Sequence, residues 1–263
     1  MFAPLQSTLR MMPGTAWPAP AELNILAARL DTRSGGGKAL RFCALAGQPA
    51  PAAADYELGT HDDGVVPLRV ANWHDVFNAL VWLTFPHTKA ALNRVHSAEL
   101  RGRTGAMRSV RRDALTLLDE SGVLVLSSDP AVLAGIRAFE WQQVFWKARE
   151  TLTRTTRFIL FGHALYEKAL APYVGMTGHA LLLAAPADFA AQDELACLQQ
   201  ADRLAASAVH AHIMRPHDLS PLPVLGVPGW WAANREAAFY DNARYFRSGR
   251  TRRLSDERNG RSD

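Results

Sequence analysis

Hydrophobic positions along this chain switch repeatedly between helical spacing and short continuous runs, and the switches predict the elements. Leu23, Leu26, Ala27 and Leu30 recur at helical intervals over 20–30, and the SGGG break at 34–37 ends that helix. A short strand is expected over 39–45, followed by a Pro/Ala-rich loop, GQPAPAAAD, at 47–55. The β-capable runs 56–60 and 65–70 flank HDDG, which predicts a β-hairpin turning at the Asp-Gly step. A helix is expected from Asn72 or Trp73 to Phe85, where Pro86 interrupts, and another from Thr88 to about Leu100. DALTLLDESGVLVLSS predicts a second hairpin, because Asp119-Glu120-Ser121-Gly122 carries the Asp-first, Gly-fourth signature of a type I turn. Asp129 and Pro130 supply the cap and first turn of a helix reaching about Glu150, and FGHALYEKAL forms a further helix. A long helix is expected from Ala187 to about His210. The Pro-rich LSPLPVLGVPGWW then packs as an extended arm through Leu222, Val224, Leu225, Trp230 and Trp231. The expected fold class is α+β: a helix-dominated single domain over 19–246 with two short β-hairpins, an irregular lead over 1–18, and a disordered basic tail over 247–263.

Composition agrees with a folded chain, since 48% of its 263 residues are hydrophobic and 21% charged. The net charge of +4 and the isoelectric point near 9.3 raise the question of a nucleic-acid partner. Residues 247–263 hold six arginines against three acids, so most of that charge sits in the tail and the nucleic-acid case is weak. Cys43 and Cys197 stand far apart with no CxxC spacing, which points to free buried thiols rather than a disulfide framework or zinc ribbon. No stretch approaches the ~20 apolar residues of a membrane span, and the expected location is the cytoplasm.

Candidate chemistry concentrates in NWHDVFNALVWLTFPHTKAALNRVH, residues 72–96. His74 and Asn78 share one helix face at i, i+4, and Lys89, Asn93 and His96 share one at i, i+4, i+7; a fold-back at Pro86 brings the two polar stripes together. The structural alternative has His74 and Asp75 capping the helix start, the asparagines satisfying backbone groups, and Lys89 in water. His163 and Glu167 form a second pair at i, i+4, suited to chelating one divalent ion with His179 as a further donor, or to a weak surface ion pair. Asp113, Asp119 and Glu120 make a third group, in which the turn signature explains Asp119 and Asp113 remains open as a candidate or as a cap. The connector RGRTGAMRSVRR, with five arginines and no acid, is an anion site or a solvated loop. Dinucleotide, P-loop, zincin and nucleophile-elbow motifs are all missing.

The blocks NWHDVFNALVWLTFPHTKAALN, RRDALTLLDESGV, FGHALYEKALAPY and LSPLPVLGVPGWW, followed by FYD and YFR, resemble an uncharacterised bacterial family, domain-of-unknown-function family 3025. The likeness runs from about Tyr56 to Arg247, and it implies no established activity, cofactor or partner. A weaker similarity is to the ββα-metal nucleases, in which a hairpin precedes a helix bearing His and Asn. Here only His61, in the turn, is offered where those enzymes keep a hairpin histidine, and their flanking cysteines are absent.

Two functions follow. One is a metal-dependent hydrolase, acting on a phosphoester, with a divalent cation on His74, Asp75 and His163, Glu167 as ligand or base, and Lys89 or Asn78 orienting an anionic oxygen. The other is a non-catalytic binding or adaptor protein that uses the Trp arm and basic tail.

Overall fold

Gly122–Ser127 (β3) is buried at every position, the mark of a strand covered on both faces and paired at both edges. In the computed structural model, which describes residues 1–12, 17–102 and 109–249, β3 pairs antiparallel with β4 (Thr156–Leu160) and parallel with β5 (Thr177–Ala184). β5 in turn pairs antiparallel with β6 (Ser220–Pro223), giving a four-stranded sheet of order β4-β3-β5-β6. A separate two-stranded parallel sheet joins β1 (Arg41–Ala44) to β2 (Val65–Leu68).

The helices in chain order are α1 (Gln6–Arg10), α2 (Pro20–Arg29), α3 (Ala53–Asp63), α4 (Trp73–Thr84), α5 (Pro86–Arg101), α6 (Val110–Ser121), α7 (Pro130–Arg137), α8 (Arg149–Thr155), α9 (His163–Lys168) and α10 (Glu194–Ala211). The α+β, helix-dominated class is therefore what the molecule shows, with two small sheets among the described residues. α4 is buried on almost every side. Its Phe77, Leu80 and Val81 enter the main core, while Ala79, Trp82 and Leu83 enter a smaller core with Leu23, Phe42 and Val66. A helix apolar nearly all round is an interior helix, so polar groups at its N-terminal end are carried inward.

Neither expected hairpin forms. Residues 56–60 belong to α3, and the Asp-Gly step closes that helix, because Gly64 takes the left-handed conformation (φ 70°) and its N–H bonds Thr60 O at 3.0 Å. α3 thus links parallel β1 and β2. Residues 110–121 are helix rather than strand: Ala114, Leu115 and Leu118 make one buried stripe, and Ser109 caps the start by accepting from Arg112 N. The chain passes from α6 into β3 without a loop, and a side chain at Gly122 would meet Leu118 O at 2.3 Å.

Smaller departures have local causes. The helix from Asp129 stops at Arg137, because Phe139 sits at φ 60°, and the chain resumes through a π-helical turn, Gln142–Lys147, and α8. The N-terminal lead contains α1, with Leu5 fully buried in the main core. The arm behaves as expected at Leu222, Val224 and Leu225, which are fully buried, while Trp230 and Trp231 are half-buried against the main core. Cys197 is buried but Cys43 is exposed, since only Phe42 of β1 turns inward. Of the arginine connector, 103–108 lie outside the described residues, as does the tail from 250. Among the described residues no helix is long and apolar enough to cross a membrane.

Candidate metal centre

The site forms where α4, α6 and α9 meet. Asn72 caps α4 by accepting from Asp75 N at 3.1 Å, which sets His74 in the first turn. Helix α9 begins at His163, immediately after Gly162. Phe161 N and Gly162 N both donate to Gly122 O (3.0 and 2.9 Å), and a Cβ on Gly162 would fall 2.4–2.5 Å from Gly122 N and Ser121 backbone atoms. The absent side chain lets the start of α9 lie directly on the end of α6, bringing His163 to Asp119 and Glu120.

His163 Nε2 is 3.1 Å from His74 Nε2 and 3.6 Å from Glu120 Oε2. Donor atoms of His74, Glu120 and His163 all lie within 4.8 Å of one another, a spacing that suits a single ion. For a tetrahedral zinc with metal–nitrogen distances near 2.0–2.1 Å, ligand nitrogens sit about 3.3 Å apart. The other ring nitrogens face carboxylates: His74 Nδ1 is 3.2 Å from Glu167 Oε2, and His163 Nδ1 is 3.7 Å from Asp119 Oδ2. Carboxylates behind imidazoles are the usual second layer of metal sites, where they fix ring orientation and tautomer. His163 is buried, whereas the His74 and Glu120 side chains are 32% and 41% exposed, so the cluster opens to solvent on one side.

Behind this layer runs a buried polar chain. Lys89 Nζ donates to Asp119 Oδ1 (2.6 Å) and Asn78 Oδ1 (2.9 Å), Asn78 Nδ2 donates to Tyr56 OH (2.8 Å), and the ammonium lies 5.2 Å from the Trp82 ring centroid. Burial opposes the charge on Asp119, but the Lys89 ammonium, which also donates to it, overcomes that and holds the carboxyl below its ordinary range. Burial likewise opposes the Lys89 charge, yet Asp119 leads the neighbours that raise it. Burial, helped by Lys89 and His74, pushes His163 down to about 3 despite Asp119, which keeps the imidazole neutral. Burial and then Asp119 raise Glu120.

The residues expected from the sequence divide clearly. His74, His163, Glu167, Asn78 and Lys89 come together, and the fold-back at Pro86 does join the polar faces of α4 and α5 through the Asn78–Lys89 bond. Glu167 lies outside that donor group and faces His74 Nδ1 from the next turn of α9. Lys89 is 3% exposed and bound to Asp119, so it presents no ammonium to a substrate. Asp75 is taken up by Arg69, whose Nη2, Nε and backbone N bind both carboxylate oxygens at 2.6–3.0 Å. Asn93 ties the Gly35 backbone to Glu57, and His179 pairs with Ser121 Oγ at 2.8 Å. His96 is buried on α5 within electrostatic reach of Asp119, and Asp113 lies in the first turn of α6. The nuclease likeness loses its hairpin, because His61 sits in α3 beside Asp62.

Sequence reasoning grouped Asp119 and Glu120 with Asp113 but set them aside, because the turn signature explained Asp119 and only Asp113 was left open. A signal was present: both fall in the last turn of an amphipathic helix, where the helix dipole disfavours acids unless other groups need them.

No curated protein and no solved structure matches this chain. A family model described as "Protein of unknown function (DUF3025)" matches residues 40–250, a span that includes every residue of the cluster and of the chain behind it, and the protein belongs to that family.

Proposed function

We propose that His74, Glu120 and His163 hold one divalent metal ion and that the protein is a metal-dependent hydrolase. The observation that carries this reading is the common orientation of two imidazoles: each turns Nδ1 to a carboxylate, and their Nε2 atoms converge at 3.1 Å beside Glu120. With protons on both Nδ1 atoms, two Nε2 lone pairs face each other at that distance, and only a cation or a proton between them relieves the repulsion. Two His and one Glu form a ligand set of catalytic zinc sites, which leave a fourth position for water or substrate.

A bound ion would supply Lewis acidity there, lowering the pKa of a water and polarising the substrate. The chain supplies the rest. His163 is buried beside Asp119, Glu167 orients His74, and the half-exposed Glu120 completes the ligand set on the open side. A phosphoester substrate is supported by two cations nearby. Lys168 ends α9 within electrostatic reach of Glu120, and the Arg69 guanidinium lies within reach of Glu167. The adaptor reading has less behind it, since Trp230 and Trp231 pack against the main core instead of standing free. We further place the chain in the cytoplasm, the compartment suited to an exposed, unpaired Cys43.

The test is turnover of bis- and mono-(4-nitrophenyl) phosphate by protein loaded with Zn2+, Mn2+ or Co2+. Hydrolysis that disappears in Glu120→Gln and His74→Ala supports the proposal. Metal-loaded wild type that hydrolyses neither phosphoester contradicts the substrate class.

A further inference from the structure

Two exposed indoles stand at the outer end of a row of aromatic rings beside the metal cluster. Trp73 and Trp17 are 45% and 43% exposed, and their ring centroids lie 4.4 Å apart. Trp73 also stacks on Phe77 (5.6 Å, 24° between planes), and Phe77 stacks on Tyr166 of α9 (5.7 Å, 18°). This row joins the same two helices, α4 and α9, that bring His74 to His163 and Glu167. Phe77 and Tyr166 are buried, so the row is anchored in the core and ends in solvent. Single apolar residues scattered on a surface need no explanation, but a stacked indole pair on a buried aromatic base is a rigid, flat apolar surface.

The first turn of α4 sets what lies next to that surface. Residues of an α-helix follow one another at steps of about 100°, so His74 projects between Trp73 on one side and Asp75 on the other. Asp75 carries Arg69, whose side chain is 47% exposed and lies within electrostatic reach of Glu167, the partner of His74. A donor imidazole is thus flanked by an aromatic plane and a guanidinium. We propose that Trp73, with Trp17, is a stacking platform for the substrate, and that the substrate is a nucleotide-like phosphoester, a planar ring joined through a short linker to its phosphoryl group. The phosphoester part rests on the metal-dependent hydrolase reading above, whereas the stacking surface stands without any metal. The linker is short because Trp73 and His74 are consecutive residues, with Cα atoms about 3.8 Å apart. Every base has a π-face, so the platform selects for a ring and not among bases.

Trp73 also helps to pack the start of α4, and that role has to be separated from stacking. Two probes do so: adenosine 5′-monophosphate, and ribose 5-phosphate, which has the same sugar and phosphate without the ring. Calorimetry gives both affinities for wild type, Trp73→Ala, Trp73→Phe and Trp17→Ala, each with added Zn2+ and after treatment with chelator. Damage to α4 weakens the two probes alike, whereas loss of stacking weakens only the one that carries a ring.

Wild type is expected to bind the nucleotide about 5- to 150-fold more tightly than ribose 5-phosphate, the margin of one stacked base, with Zn2+ or without it. Trp73→Ala is expected to lose most of that margin by weakening the nucleotide alone, Trp17→Ala to lose a smaller part, and Trp73→Phe to keep most of it. Equal affinities in wild type, no binding of either probe, or a Trp73→Ala variant that weakens both alike overturns the proposal. A ring preference that Trp73→Ala removes, in protein that takes up no metal and turns over no phosphoester, supports the platform and sinks the hydrolase reading. Phosphoester turnover by a wild type without the preference does the reverse.

Discussion

His74 and His163 stand 89 residues apart in the chain and place their Nε2 atoms 3.1 Å apart in the fold, with ring centroids separated by 4.5 Å. Two elements produce that meeting: α4, which is drawn into both cores, and the glycine junction that seats α9 on α6.

The junction gives the first prediction. Gly162→Ala places a methyl carbon 2.4–2.5 Å from backbone atoms of Ser121 and Gly122, which no side-chain rotation relieves. Stability should fall by more than about 2 kcal/mol, and metal binding should weaken in protein that still folds. Urea titration and metal affinity measured on the same sample check both effects; unchanged values in both would refute the account of the junction.

Metal uptake should strengthen with pH. Burial and then Asp119 raise the Glu120 carboxyl, and that group must lose its proton to bind a cation, so affinity should rise with pH as it ionises. Metal affinity measured from pH 5 to pH 8 checks the sign, and affinity that falls or stays flat as pH rises contradicts Glu120 as a ligand.

Asp75 should matter for stability and not for metal. Its carboxylate is held by three groups of Arg69, so Asp75→Ala should cost about 1–3 kcal/mol through the lost charged hydrogen bonds. Metal stoichiometry should stay at the wild-type value. A large loss of metal with little change in melting temperature would return Asp75 to the ligand set.

Glu57 predicts a pH dependence. Burial, reinforced by Asp119, pushes its carboxyl from 4.5 up to about 7, against the opposing pull of Asn93, Lys89 and Arg112. A carboxyl that binds its proton more tightly when folded contributes stability that is fully present below the unfolded pKa and is lost as pH rises through the folded one. Its contribution should therefore fall between pH 4.5 and about 7, and Glu57→Gln should flatten that window. Denaturation curves of both proteins at pH 5 and pH 8 check the sign: a wild type that gains stability relative to Glu57→Gln across this interval contradicts it.

How far the sequence foretold this arrangement differs from element to element. The helices on either side of Pro86 were legible, because the apolar spacing of Phe77, Leu80, Val81 and Leu83 is strong and a proline marks their boundary. The convergence of Asn78 with Lys89 followed from that geometry. The hairpins were not legible: HDDG serves equally as a hairpin turn and as a helix end, and only tertiary pairing of β1 with β2 decides between them. DESG posed the same ambiguity, and resolving it as a turn hid Asp119 and Glu120. Asp75 illustrates the reverse error, since a carboxylate beside a histidine is a plausible ligand until Arg69, six positions back, is seen to bind it.

The most direct test of the central claim is elemental analysis of untagged protein purified without chelator, alongside His74→Ala, Glu120→Gln and His163→Ala. The account predicts close to one divalent ion per wild-type chain and its loss in all three variants, with His74→Ala and Glu120→Gln retaining near-wild-type melting temperatures. Wild-type protein that is folded, metal-free and unable to take up added Zn2+, Mn2+ or Co2+ would contradict it.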